Sequence, residues 1–465
     1  MNSKLLALSA SALLATGAAA FSQAFTPGDL VVSVYGSTTS TSITDGQVTP
    51  ITLQEYSLPT ATSSTLQLTD VLPTSSYSGG VGIVGEDGSS SEGTIQLSGN
   101  DEYLTIGGYD ATAAAAGINS STSSTYAGDQ WGESTVALAQ SSDTNVPRVA
   151  AVIDSNGNVD TSTVLNDIYP TNNPRGVYSP DGSSIYISGQ GTASGNEGIY
   201  LTSKGNNTTG ANPVAPTPIY TLNSTRDLTE YNGGFYYSAD QKNAQTGIFE
   251  YSTPPTSSQG SSTGTRITPA SGTIYTNTGG STGSGATASV NFSPEGFAFV
   301  TPTLLYVADT GAPKVKGTGD GGIQKWSYIN NAWVLDYTLT DSNFVAPGSA
   351  DNASHGETGF ESLALQVVGS NVDIYAVSYT AGDADANGLY AVVDSESATS
   401  LPGGETFTEI QSAPGANTAG STADFNFKGV SFAPTAPVPE PSTWATMLGG
   451  LGMLFAFARN RRRSA

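Results

Sequence analysis

The chain repeats one short pattern: an alternating apolar run, a turn, then a second run opening on glycine. Ile185-Tyr186-Ile187 precedes Gly198-Ile199-Tyr200-Leu201, and Phe235-Tyr236-Tyr237 precedes Gly247-Ile248-Phe249-Glu250. Leu305-Tyr306-Val307 precedes Gly322-Ile323-Gln324-Lys325-Trp326, and Ile374-Tyr375-Ala376-Val377 precedes Gly388-Leu389-Tyr390-Ala391. An earlier run stands before each pair: Gly176-Val177-Tyr178, Asp227-Leu228-Thr229, Gly296-Phe297-Ala298-Phe299 and Ser362-Leu363-Ala364-Leu365. Alternation of this kind is the signature of half-buried strands. One such unit cannot bury its apolar face alone, so repetition at about 50 to 70 residues demands stacked sheets.

Two further units extend the series. Gly93 to Leu97, Tyr103 to Ile106, Arg148 to Ile153 and Val159 to Leu165 make one, with a Ser/Thr-rich insertion. Phe427 to Phe432 repeats the first-strand pattern with nothing after it, so its expected partners are Leu30 to Tyr35 and Ile51 to Leu58, at the other end of the chain. Sharing a sheet between the termini would close a ring that otherwise exposes two strand edges. The expectation is an all-β fold, a β-propeller of six blades over residues 25–434. Seven is the alternative, because 111–150 has room for more strands. The alanine run at 113–116 is short and reads as loop.

Composition narrows the chemistry. There is no cysteine, and the one histidine, His355, lies in a polar loop. Disulfides, thiolate sites and histidine metal clusters are therefore excluded. Setting aside both terminal segments leaves ten basic and 38 acidic residues, a formal net charge of −28. Such a surface repels nucleic acid and attracts cations.

The two ends are targeting segments. Lys4 precedes the apolar run Leu5 to Ala15 and small residues follow, the form of a secretory signal peptide over 1–24 read by the secretion machinery and signal peptidase. At the other end come a linker over 435–442, an apolar run over 443–458 and a basic tail over 459–465. The sixteen-residue run spans roughly 24 Å as a helix, enough for a transmembrane segment once flanking arginines snorkel. Arg459, Arg461, Arg462 and Arg463 are expected to remain cytoplasmic. Val438-Pro439-Glu440-Pro441-Ser442, the apolar run and the basic stop together resemble the PEP-CTERM sorting tail. That resemblance implies export, exosortase as a partner, and cleavage of the tail on delivery to the cell envelope, cell surface or extracellular space. It further implies a link to extracellular polysaccharide.

Two groups of residues are candidate sites. The residue before each first-strand Gly, Ser or Asp is, in order, Lys428, Glu92, Arg175, Arg226, Glu295 and Glu361: charged every time in a chain where charged residues make up 12%. Inner strands line a propeller's channel, so these should ring one mouth, as a salt-bridge collar or as a ligand site. Ser293-Pro294-Glu295-Gly296 resembles the segment by which metal-dependent lactonase propellers present a central glutamate to calcium. The second group is Asp383, Asp385, Asn387, Leu389 and Asp394, whose spacing follows an EF-hand calcium loop. The reading is an exported, non-enzymatic surface or matrix binder with Ca2+ as stabiliser. The alternative is a metal-dependent hydrolase of the lactonase or phytase-like type.

Overall fold

The computed structural model describes residues 23–36, 46, 48–86, 88–89, 91–115, 137–191, 196–221, 224–240, 246–260, 262–268, 274–275, 290–311, 321–342, 344, 356–380, 386–413 and 425–437. The signal segment before Gln23, the sorting tail from Val438, His355, Asp383 and Asp385 lie outside them. Among the described residues no helix is long and apolar enough to cross a membrane.

The described chain is almost wholly antiparallel β. The second sheet runs Pro174–Tyr178, Ser184–Gly189, Gly198–Ser203 and Thr217–Tyr220, each strand paired with the next. The third runs Thr225–Tyr231, Gly234–Ala239, Gly247–Tyr251 and Thr265–Thr268. The fourth is Pro294–Thr301, Leu304–Asp309, Gly322–Ile329 and Ala332–Leu339; the fifth is Glu357–Val368, Asn371–Thr380, Gly388–Ser395 and Thr408–Ser412. The first consists of Ile95–Leu97, Tyr103–Asp110, Arg148–Asp154 and Val159–Leu165. The sixth draws on both ends of the chain: Phe425–Phe432, Leu30–Gly36, Val48–Thr60 and Ser63–Val71. Leu30 to Gly36 faces Phe432 to Phe425, and Ala433 N–H donates to Asp29 O. The short strand Ile83–Glu86 bridges Val48–Pro50 and Tyr109–Asp110, joining the sixth and first sheets into one.

Alternation puts one side chain in two on each face, and a distinct apolar cluster fills each space between successive sheets. Ile199, Phe235 and Tyr237 pack between the second and third; Ile248, Leu305 and Trp326 between the third and fourth. Tyr306, Ile374 and Tyr390 fill the next space, then Val32, Tyr375 and Phe427. Val31, Ile51, Leu104 and Ile153 fill the space between sixth and first, and Val152, Val177 and Ile187 that between first and second. The first strands touch in the same cyclic order, so the succession of sheets returns on itself.

Every junction also carries a side-chain hydrogen bond onto the backbone of the neighbouring sheet or a turn beside it. Ser33 donates to Gly93 O, Thr105 to Val177 O, Ser188 to Arg226 O and Ser238 to Glu295 O. Thr358 donates to Thr310 O, and Asn387 Nδ2 to Phe427 O. Glycine at the contact permits this approach: a Cβ on Gly176 would collide with Arg226 O, and one on Gly429 would lie 2.5 Å from Ile95 N.

The alanine run 113–116, expected as loop, belongs as far as Ala115 to a short helix, Ala111–Ala115. Asp110 Oδ1 accepts the N–H groups of Thr112 and Ala113, an N-cap that lets alanine's helical preference prevail. The turn Asp154-Ser155-Asn156-Gly157-Asn158 is a hairpin in which Asp154 Oδ1 accepts from Asn156 and Asn158 N–H.

A paired charged collar as the candidate functional site

The six charged positions lie where the first strands begin, and in five of them the ladder slips at that point. Val177 faces Ile187 and Pro174 faces Gly189, so Arg175 and Gly176 together oppose Ser188. The ladders around Arg226, Glu295, Glu361 and Lys428 break in the same way. A bulge of this kind re-aims a side chain that regular pleating would send into an apolar inter-sheet space. Lys428, Glu92, Arg175, Glu295 and Glu361 are all buried, and Arg226 is nearly so.

Four of the six are held by partners that sequence spacing does not reveal. Arg226 forms ion pairs with Glu295 and, at 3.3 Å, with Asp240. Ser293 Oγ donates to the same Asp240 carboxylate at 2.8 Å. Glu92 accepts from the Tyr109 hydroxyl at 2.6 Å and from Glu86 N–H at 3.3 Å; burial pushes its carboxyl up to about 7, against the pull of these bonds and of Lys428. Lys428 donates to Ser89 O at 3.2 Å and sits 5.5 Å over the Tyr35 ring. Among the described residues Arg175 binds only neutral oxygens, Ser224 Oγ and Gln190 Oε1, each at 2.6 Å. Burial foremost, then Arg226, hold it down at about 9. Glu361 lies against the fourth sheet, its carbonyl oxygen 3.1 Å from where a Cβ on Gly296 would stand.

Of the calcium-loop residues, the structure describes Asn387, Leu389 and Asp394, and it does not bring these three together. Asn387 Oδ1 accepts Phe427 N–H, and its amide donates to Ser378 O and Phe427 O, so the side chain serves the fifth-to-sixth junction. Leu389 sits mid-ladder between Val377 and Gln411. An extended strand carries Asp394 roughly 23 Å from Asn387, at about 3.3 Å per residue, beyond any shared ion. Asp394 is instead fully buried against Lys325 Nζ at 3.0 Å, accepting also from the hydroxyls of Tyr306 and Tyr337. Lys325 donates in addition to Ser395 O, which locks the fourth sheet to the fifth. Burial raises the Asp394 carboxyl, but a bond shared with Glu405, then those from Tyr306, Tyr337 and Lys325, bring it below its ordinary value. Among the described residues no three His, Cys, Asp or Glu side chains converge as a metal site.

Sequence reasoning missed Arg148 as well. It is buried, stacks over Tyr109 at 5.1 Å, and donates to the carbonyl oxygens of Val146, Ser141, Tyr169 and Asn172. The signal for both cations was available: each stands in an otherwise apolar alternating strand, where a charge must be partnered.

Aromatic residues that are dispersed in sequence meet at the other end of the third and fourth sheets. Tyr231 stacks on Phe299 at 4.8 Å, Phe299 meets Trp333 at 5.9 Å, and Trp333 meets Tyr328 at 5.5 Å. Arg226 and Glu295 pair near the starts of the two strands whose ends carry Tyr231 and Phe299, so the aromatic row lies opposite the charged collar. Tyr328, Ile329 and Val334 beside it are 42%, 42% and 44% exposed.

Residues 437–463 match the family model of the PEP-CTERM protein-sorting motif, so the chain carries a signal for exosortase and export to the cell envelope. No curated protein matches the chain. Among solved structures it is similar to the periplasmic gluconolactonase of Pseudomonas aeruginosa, at 11% identity over 83% of this chain and 84% of that one, with a TM-score of 0.39. It is also similar to a GH74 enzyme of Niastella koreensis, at 13% identity over 84% of this chain and 47% of that one, TM-score 0.38.

Proposed function

We propose that this protein is a six-bladed β-propeller, exported and processed by exosortase, that serves at the cell surface or in the extracellular matrix as a non-enzymatic binder of polysaccharide. The observation that carries the non-enzymatic reading is the collar. Glu295, the residue that a lactonase-like mechanism would offer to calcium, is committed to Arg226, and Arg226 also holds Asp240. A carboxylate so neutralised is a poor metal ligand and serves instead to fix blade register. The aromatic row supports the sugar partner: half-exposed rings flanked by Asn330, Asn331 and Asp336 offer flat apolar faces beside hydrogen-bonding groups. The acidic surface favours a neutral glycan over an anionic one.

The test combines localisation with binding. Neutralising Arg459 and Arg461 to Arg463 is expected to abolish tail processing in the producing cell. Purified protein is expected to co-sediment with neutral extracellular polysaccharide, with at least a fivefold loss in Trp333→Ala and Tyr328→Ala. Calcium-dependent hydrolysis of a lactone or phosphate ester, lost in Glu295→Gln, would overturn the binder in favour of the enzyme.

A further inference from the structure

We infer that Arg175 is the anchor of a site for a single carboxylate group at the collar end of the ring, separate from the aromatic face and independent of the polysaccharide reading. Of the other buried cations described above, Lys428 has Ser89 O, the Tyr35 ring and the charge of nearby Glu92, and the rest have a carboxylate or several carbonyls in contact. Arg226 has Glu295 and Asp240, Lys325 has Asp394, and Arg148 has four backbone oxygens. Arg175 is 6% exposed and makes no ion pair among the described residues. Of five guanidinium N–H donors, two meet neutral side-chain oxygens, on Ser224 and Gln190, and Nε is buried without an acceptor.

Arg226 stands next in the ring and its Nε is likewise buried without an acceptor. Each of its terminal nitrogens is already engaged by a carboxylate, so Nε is its one nitrogen without a partner. Asn173, two residues before Arg175, donates from Nδ2 to Ser89 and Ser91 while its Oδ1 is buried without a partner. A buried guanidinium with no carboxylate in contact, its charge offset only at a distance by Asp240, Glu92 and Glu197, is rewarded by a planar, two-oxygen anion. A carboxylate matches that fork with one negative charge. Polyanions are disfavoured by the formal net charge of −24 over the whole chain. Free small acids and single acidic sugars share this chemistry, and the assay separates them.

Full-length protein in detergent would be titrated calorimetrically with acetate, glucuronate, glucose and inorganic phosphate at constant ionic strength. Saturable binding of acetate or glucuronate, and none of glucose, is expected. Acetate binding as well as glucuronate assigns the site to the carboxylate alone; glucuronate binding at least tenfold tighter assigns it to the acidic sugar. Arg175→Gln is expected to weaken binding at least tenfold, with Arg175→Lys intermediate because a point charge replaces the fork. Equal affinity in Arg175→Gln, tighter binding of phosphate than of either carboxylate, or no saturable heat with any carboxylate would overturn the proposal. The last two outcomes are read on the wild type alone, so the test survives a variant that does not fold.

Discussion

Asp227 follows Arg226 in the third sheet's first strand, and its carboxylate is buried with no charged partner among the described residues. It accepts N–H groups from Leu228 at 2.9 Å and Phe297 at 3.2 Å, and burial still pushes its carboxyl from 3.8 up to about 7. The folded state therefore holds the proton more tightly than the unfolded chain. Stability from this group is complete below pH 3.8 and is lost as pH rises through about 7. Integrated between pH 5 and pH 8, the loss is about 2.5 kcal/mol. At about 2.1 cal/mol/K per residue over roughly 400 residues, that is about 3 °C in Tm. Asp227→Asn removes the titration but turns an amide toward one of the two N–H donors, a penalty independent of pH. The decisive quantity is thus the difference of differences. Tm measured by scanning calorimetry should fall about 3 °C less between pH 5 and pH 8 in the variant than in the wild type. Parallel pH profiles would refute the reasoning and show that Asp227 ionises normally within the fold.

Three further outcomes follow from the junctions. Lys325→Met strands the Asp394 carboxylate among Tyr306 and Tyr337 and should cost about 3–5 kcal/mol in urea unfolding, much of it recovered in Lys325→Met/Asp394→Leu. Ser238→Ala leaves Glu295 O and Asp227 N–H without their partner and should cost about 2 kcal/mol, read from the same transition. Asp394→Asn should lower Tm equally in calcium and in chelator, since the residue serves Lys325; a loss confined to calcium would restore the loop.

Much of this architecture was legible because the strands advertise themselves. Runs such as Ile185-Tyr186-Ile187 alternate cleanly, and they pair as middle strands where the pattern sets them. The outer strands Thr217–Tyr220, Thr265–Thr268 and Thr408–Ser412 did not stand out, because they are short and partly exposed and so carry little alternation. The charged positions were visible as a recurrent oddity beside glycine. The bulges that aim them, and partners such as Asp240, Tyr109 and Ser224, were not, since these lie on other strands and meet only in three dimensions. Asp394 misled for the opposite reason. The spacing of Asp383, Asp385 and Asn387 outweighed the continuous apolar run Leu389 to Val393, which carries Asp394 into a strand facing the fourth sheet.

The clasp between Leu30–Gly36 and Phe425–Phe432 sets the timetable of maturation. Its two halves are almost four hundred residues apart in the chain, so the sheet that starts the fold is also the one that finishes it. Until the last of these strands has been synthesised and translocated, Leu30–Gly36 presents an unpaired edge, the kind of surface that recruits wrong partners. Contacts this remote in sequence form slowly. The closing strand ends at Phe432, only five residues before the sorting motif begins at 437. The sorting signal thus emerges right behind the piece that seals the ring, and a chain becomes a substrate for exosortase only once it holds everything needed to close.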